Sequence, residues 1–286
     1  MKNFFIVLLL LLNGYLYATD IKDEIFISNA FYGEDIDKVN YKDAKTAMGI
    51  WLDELANQIG ATSELIFYTD FKALQEDAKK GKVNTLILSP ISYLKNLEYC
   101  KTHFHQGWLK RERDGKPFFS FVLLSRKDMQ KKDKYMVHYF RYSTISKIVA
   151  QMYAWEHHQK FLFKKTPKES KPVLDLFFKK CDYAIVGEET WLLMQELNPQ
   201  LKAKIKVVYK SDRIFVDLIS LFSNKLSQRN RDTYFKAIAA INTTEAGKQL
   251  MRLFKFNGLI RIDDNQFKPL ESYYQRYLKA KAIHEK

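Results

Sequence analysis

Past residue 23, short runs rich in aromatic and β-branched residues alternate with longer segments whose apolar positions recur at helical spacing. Glu24-Ile25-Phe26-Ile27-Ser28 reads as an opening strand. Residues 43–59 place Ala44, Ala47, Met48, Trp51, Leu52, Leu55, Ala56 and Ile59 on one stripe with a period of about 3.6, and Gly60 ends that helix. Glu64-Leu65-Ile66-Phe67-Tyr68 is a second strand, and Asp70 caps a helix over 71–80 that stops at Gly81. Thr85-Leu86-Ile87-Leu88 is an apolar strand running into Ser89-Pro90, with a helix expected over 91–99. The middle repeats the rhythm, with strands at 118–124, 136–140, 161–163, 182–186 and 205–209. Helices fill the intervals at about 146–158, 170–180 and 188–198. From Gln228 the pattern is almost wholly helical, over 231–241, 244–256 and 269–281. Repeated β-α units with short connections predict a mainly parallel α/β sheet covered by helices.

The N-terminus departs from this rhythm. Lys2 precedes an apolar run of about nine residues from Phe4 to Leu12, and Leu16-Tyr17-Ala18 leads into the polar Thr19-Asp20. That run is far short of the roughly twenty residues a membrane helix needs, so it reads as a secretory signal cleaved after Ala18. No Cys closely follows it, which argues against a lipoprotein anchor. Residues 19–286 are then expected to act, soluble, outside the cytoplasm. Apolar content of 47%, with 15% aromatic, supports packed cores and argues against disorder. The formal net charge of +14 is mostly Lys spread through acid-containing segments. It reads as a solvated surface whose field favours small anions. No nucleic-acid module is recognisable, so nucleic acid is not expected as a partner. Cys100 and Cys181 are the only cysteines, and they read as two separate buried thiols.

Enzyme signatures are poor: the chain has no nucleophile elbow, phosphate loop or dinucleotide fingerprint, and no cofactor is expected. Cys100-x-x-His103-x-His105 has metal-like donors but no fourth partner nearby, so no metal is expected either. Two strand-to-helix turns are rich in hydroxyls. One is Ser89-Pro90-Ile91-Ser92-Tyr93 and the other Ser143-Thr144-Ile145-Ser146. Free N–H groups and the helix dipole make such starts ready anion sites, although plain N-capping uses the same residues. Glu188-Glu189, following a strand, either bind a ligand amine or complement the dipole of the helix they open.

The order of these elements resembles the phosphate/phosphite/phosphonate substrate-binding proteins of ABC importers, within the type 2 periplasmic binding proteins. The resemblance rests on Tyr68-x-Asp70-Phe71-x-Ala73-Leu74 running to Gly81-Lys82-Val83-Asn84, on the two hydroxyl turns, and on Cys181-Asp182-Tyr183-Ala184. Asn198-Pro199-Gln200-Leu201 and the end Leu253-Phe254-Lys255-Phe256-Asn257-Gly258-Leu259 also match. It implies two α/β lobes with a ligand cleft between them and two hinge crossings, near 120–126 and 209–216. Residues 1–18 would be the signal, 19–118 and 216–286 the first lobe, and 119–215 the second. The implied ligand contacts are Tyr32, Ser89, Ser92, Tyr93, Ser143, Thr144, Ser146 and Glu188. The family commonly has Gly where this chain has Ser89, and Ile145 interrupts its Ser-Thr-Ser-Gly run. The function implied is a monomeric periplasmic protein, not an enzyme, that captures a small oxyanion for an inner-membrane ABC permease. The alternatives are a periplasmic ligand sensor that hands its closed form to a receptor kinase, and an enzyme on the same fold using a cysteine nucleophile.

Overall fold

The computed structural model describes residues 26–33, 38–110, 115–141, 143–216, 218–253, 257–262 and 264–285. The expected signal peptide and Glu24-Ile25 lie outside the described residues. The strands form two five-stranded sheets and a two-stranded ribbon. In the first sheet, β1 (Phe26–Tyr32) lies between β2 (Thr62–Tyr68) and β3 (Thr85–Leu88), parallel to both. Beyond β3, β11 (Ile219–Ser223) runs antiparallel and pairs in turn with β4 (Phe104–Gln106). In the second sheet, β7 (Tyr135–Phe140) lies parallel between β8 (Phe161–Thr166) and β9 (Tyr183–Gly187). There β6 (Phe121–Arg126) runs antiparallel to β9, and β10 (Ile205–Lys210) closes the sheet. Each sheet thus has three parallel strands followed by an antiparallel one. In each, that antiparallel strand is the one the chain enters on arriving from the other sheet.

Helices cover both faces of each sheet, as parallel strands require. On the first sheet, α1 (Lys38–Asn57), α9 (Gln228–Ile241) and α10 (Glu245–Leu253) bury Trp51, Leu52, Tyr234 and Ile238 against Ile27, Ile87 and Phe222. The opposite face, with Ala30, Leu86 and Leu88, packs against α2 (Phe71–Lys79), α3 (Pro90–Lys95) and α4 (Leu97–His103). On the second sheet, α6 (Lys171–Phe177), α7 (Glu188–Leu197) and α8 (Gln200–Lys204) cover Val122, Leu124, Ala184 and Val186. The helix α5 (Thr144–Glu156) covers Val137, Tyr183 and Ile185 on the other side. One buried cluster runs from Ala30 and Leu88 through Phe215 to Leu123 and Ile185, so the two sheets share a core. The closing helix α11 (Lys268–His284) borders that cluster through Leu270, Tyr273 and Tyr274.

The chain passes between the sheets twice, and the two crossings are bonded to each other. Phe119 and Phe215 exchange backbone hydrogen bonds of 2.8 and 3.2 Å. Ser211 donates its N–H to the Phe121 carbonyl at 2.9 Å, and its hydroxyl accepts from the Phe121 N–H at 2.8 Å. The first crossing therefore lies just ahead of Phe121, at the start of the span 120–126 that the resemblance implies.

Several expectations need refining. The sheets are not wholly parallel: in each, four strands share one direction and one runs against them, β11 between β3 and β4 and β6 between β9 and β10. The helix expected over 91–99 breaks at Asn96, whose side-chain amide donates to the Ser92 carbonyl at 2.9 Å and ends α3. The C-terminal segment is almost wholly helical as expected, with one strand that the pattern did not show, Leu259–Arg261, forming β12 against β5 (Trp108–Lys110). Strands of three residues carry too few positions to show a period of two.

Candidate functional site

Both hydroxyl turns stand where strands end and helices begin. Strand β3 delivers Ser89, whose hydroxyl accepts the Ser92 N–H at 3.2 Å and donates to the Ser92 hydroxyl at 2.9 Å. Pro90 occupies the first helical position, where a missing N–H costs nothing. Ser92 and Tyr93 are both buried. The Tyr93 hydroxyl donates to the Glu271 carboxylate of α11 at 3.1 Å, and its ring lies 5.5 Å from that of Phe267. Lys101 donates to the other Glu271 oxygen at 2.5 Å. Sequence reasoning missed Glu271, which lies 178 positions from Tyr93. Tyr32, at the carboxyl end of β1, is also buried, with its ring edge-on to Phe71 at 5.0 Å.

The second turn differs in how its hydroxyls are used. Ser143 is the N-cap of α5, yet its side chain makes no capping hydrogen bond among the described residues. Its carbonyl is the busy atom, accepting the Ser146 N–H at 3.0 Å and the Ser146 hydroxyl at 2.6 Å. Ser146 is buried and spends its proton on its own helix, whereas Ser143 and Thr144 are half-buried at the helix mouth. The helices that the two turns open, α3 and α5, pack against each other, and Tyr93 and Ile145 belong to one buried cluster.

Glu188 opens α7 at the carboxyl end of β9, next to β7, so it shares the edge of the sheet that carries Ser143. One carboxylate oxygen accepts the Ser120 hydroxyl at 2.6 Å and the other accepts Lys210 at 2.5 Å. Partial burial by itself raises this carboxyl. The bonds from Lys210 and Ser120, with the charges of Lys210 and Arg213, outweigh that and hold it below the usual carboxylate range. Ser120 ends the first crossing and Lys210 precedes the second, so Glu188 ties the two together. Arg141 was not singled out from the sequence, although it stands two residues before Ser143. The β7–β9 register, continued by two residues, sets it beside Gly187, and its N–H donates to the Thr166 carbonyl at 3.0 Å.

The remaining chemical candidates are structural. Cys100 and Cys181 are free, buried and in different clusters, and burial pushes both thiols up to about 12. The His103 ring lies tilted against that of Tyr99 at 4.4 Å, while His105 is exposed on β4. Among the described residues no group of three His, Cys, Asp or Glu could hold a metal, and no helix is long and apolar enough to cross a membrane.

Two α/β lobes joined by paired crossings, each with a hydroxyl-bearing helix start at the carboxyl end of a strand, define a periplasmic-binding-protein fold. The chain belongs to the family described as the periplasmic substrate-binding protein of the phosphonate ABC transporter, which matches residues 39–267. Among solved structures, it is similar to a binding-protein component of an ABC phosphonate transporter from Pseudomonas aeruginosa. That likeness has 14% identity and a TM-score of 0.61, covering 91% of this chain and 89% of that one. It is also similar to PhnD1 from Prochlorococcus marinus in complex with methylphosphonate, at 11% identity and a TM-score of 0.61, covering 89% and 98%. A Xanthomonas citri protein bound to ATP aligns at 10% identity with a TM-score of 0.65, covering 89% and 98%. At these identities the structural likeness carries the fold alone. No curated protein matches the sequence.

Proposed function

We propose that this protein captures a small tetrahedral oxyanion of the phosphonate, phosphite or phosphate class between its lobes and presents it to an ABC permease. The observation that carries the reading is the α5 start. The Ser143 hydroxyl is not used for capping, and the N–H groups of the first turn and the dipole behind them stand at the lobe interface. Ser89, Ser92, Tyr93 and Tyr32 line the facing edge of the first lobe, and Glu188 closes the hinge side. The first lobe comprises residues 19–118 and 216–286 and the second 119–215, with α11 reaching across both. The protein acts as a monomer outside the cytoplasm after cleavage of residues 1–18, without nucleic acid or cofactor. Two buried thiols held in their neutral form support a binding role over a catalytic one.

Thermal shift and calorimetric titration with methylphosphonate, phosphite, phosphate and sulfate test this directly. A cognate anion at a thousandfold excess over its dissociation constant should stabilise the fold by about 4 kcal/mol. If none of the four raises the melting temperature or gives a binding isotherm, the oxyanion reading is wrong.

A further inference from the structure

The C-terminal helix α11 makes contacts that ligand capture does not explain. Its first turn belongs to the first lobe. Phe267, which caps it, and Leu270 are fully buried, and Glu271 receives Tyr93 of α3 and Lys101 of α4. Its middle lies against a crossing, with the Tyr273 ring 5.4 Å from Phe215. Its second half lies on the other lobe. There Trp155, near the end of α5, stacks on Tyr277 at 5.8 Å with an interplanar angle of 18°. The same indole stacks on His284 at 5.2 Å with an angle of 7°. The helix α5 that ends at this stack begins at Ser143 and Thr144.

A helix of 17 residues is a rod about 25 Å long. When two lobes rotate about a hinge, a rigid rod fastened to both keeps its place on only one. The first-turn anchor is buried and doubly hydrogen-bonded, whereas Tyr277 is half-buried and His284 exposed. The rings around Trp155 are therefore the contacts that yield.

We propose that α11 is a strap across the lobes, and that Trp155 stacked between Tyr277 and His284 is a latch made only in the closed arrangement. Such a contact favours closure because it acts on one state and not the other. It also links the far end of α5 to the anion-binding turn at its start. The latch biases the lobes before any ligand arrives, so it is tested without one.

The test uses the full mature chain. Spin labels go on cysteines introduced at Lys72, in the first turn of α2, and at Lys168, just beyond the carboxyl end of β8; both positions are exposed and in different lobes. Pulsed dipolar spectroscopy of ligand-free protein reads the distance between them. Trp155→Ala should raise the open-to-closed ratio about two- to tenfold, the worth of an aromatic pair, and move the distribution to longer distances. Trp155→Phe, which keeps a stacking face, should restore most of the parent distribution. A merely structural tryptophan predicts something else: a lower melting temperature with an unchanged distance distribution, and that result overturns the proposal. If Trp155→Ala does not fold, Tyr277→Leu with His284→Ala strips both partners from the exposed side of α11 and is read against the same two outcomes. Because no anion is added, these outcomes do not depend on which ligand the protein takes.

Discussion

The hydroxyls of the two turns carry different burdens, and that decides which substitutions should matter. Ser89, Ser92 and Ser146 bond to their own turns, and Tyr93 bonds to Glu271. Ser143 and Thr144 sit at the mouth of α5. A hydrogen bond to a charged partner is worth about 1.5–3 kcal/mol. Changing Ser143→Ala together with Thr144→Val should therefore weaken oxyanion binding about a hundredfold or more. Calorimetric titration with the anion that the parent binds, at a temperature where both proteins are folded, measures it; equal affinities would remove this turn from the site. The hydroxyl pattern was legible because a serine at a helix start has few other uses. The commitment of Tyr93 was not, since nothing local to position 93 announces a carboxylate at position 271.

At the scale of elements, helix ends were the most readable feature and lone strands the least. The end of α2 shows why. The Gly81 N–H donates to the Ala78 carbonyl and the Lys82 N–H to the Asp77 carbonyl, each at 3.0 Å, with Gly81 at φ +78°. That is the bonding pattern of a glycine-terminated helix, and a side chain there strains the left-handed backbone. Gly81→Ala should cost about 1 kcal/mol in chemical denaturation without changing affinity.

A second element-scale test concerns the join between α6 and β7. His138 is buried with its Nδ1 2.9 Å from Asp175, which also accepts from Lys171 at 2.7 Å. Burial alone raises the Asp175 carboxyl, but the bonds and charges of Lys171 and His138 prevail and hold it below its usual range. Its folded value is thus lower than its unfolded one. The stability it contributes is complete above the ordinary carboxylate range and is lost as pH falls through its lowered value. Asp175→Ala should cost about 3 kcal/mol near neutrality, and the difference from the parent should shrink in acid, as urea titrations across pH would show.

For the whole molecule, the family is one of periplasmic substrate-binding proteins, and the N-terminal pattern adds a test of the proposed signal. N-terminal sequencing of the exported protein should start within a few residues of Thr19. A chain that retains Met1 and sediments with membranes would contradict this. The twofold repetition of sheet topology also belongs to this scale. The chain enters each sheet through its antiparallel strand, β6 after the first crossing and β11 after the second, and the two crossings bond to each other.

Local patterning was enough to place most helices, the parallel strands and the two hydroxyl turns, because period, caps and glycine stops act within a few residues of one another. It also revealed the order of elements that marks the family. Everything joining distant positions was settled by folding. The insertion of β11 beside β3, the tie from Glu188 to both crossings, and the reach of α11 from Tyr93 to Trp155 all depend on backbone and side-chain partners tens to hundreds of residues apart. Such pairings arise from burial of a shared core, and the chain holds no local signal for which of many apolar or charged residues will meet there.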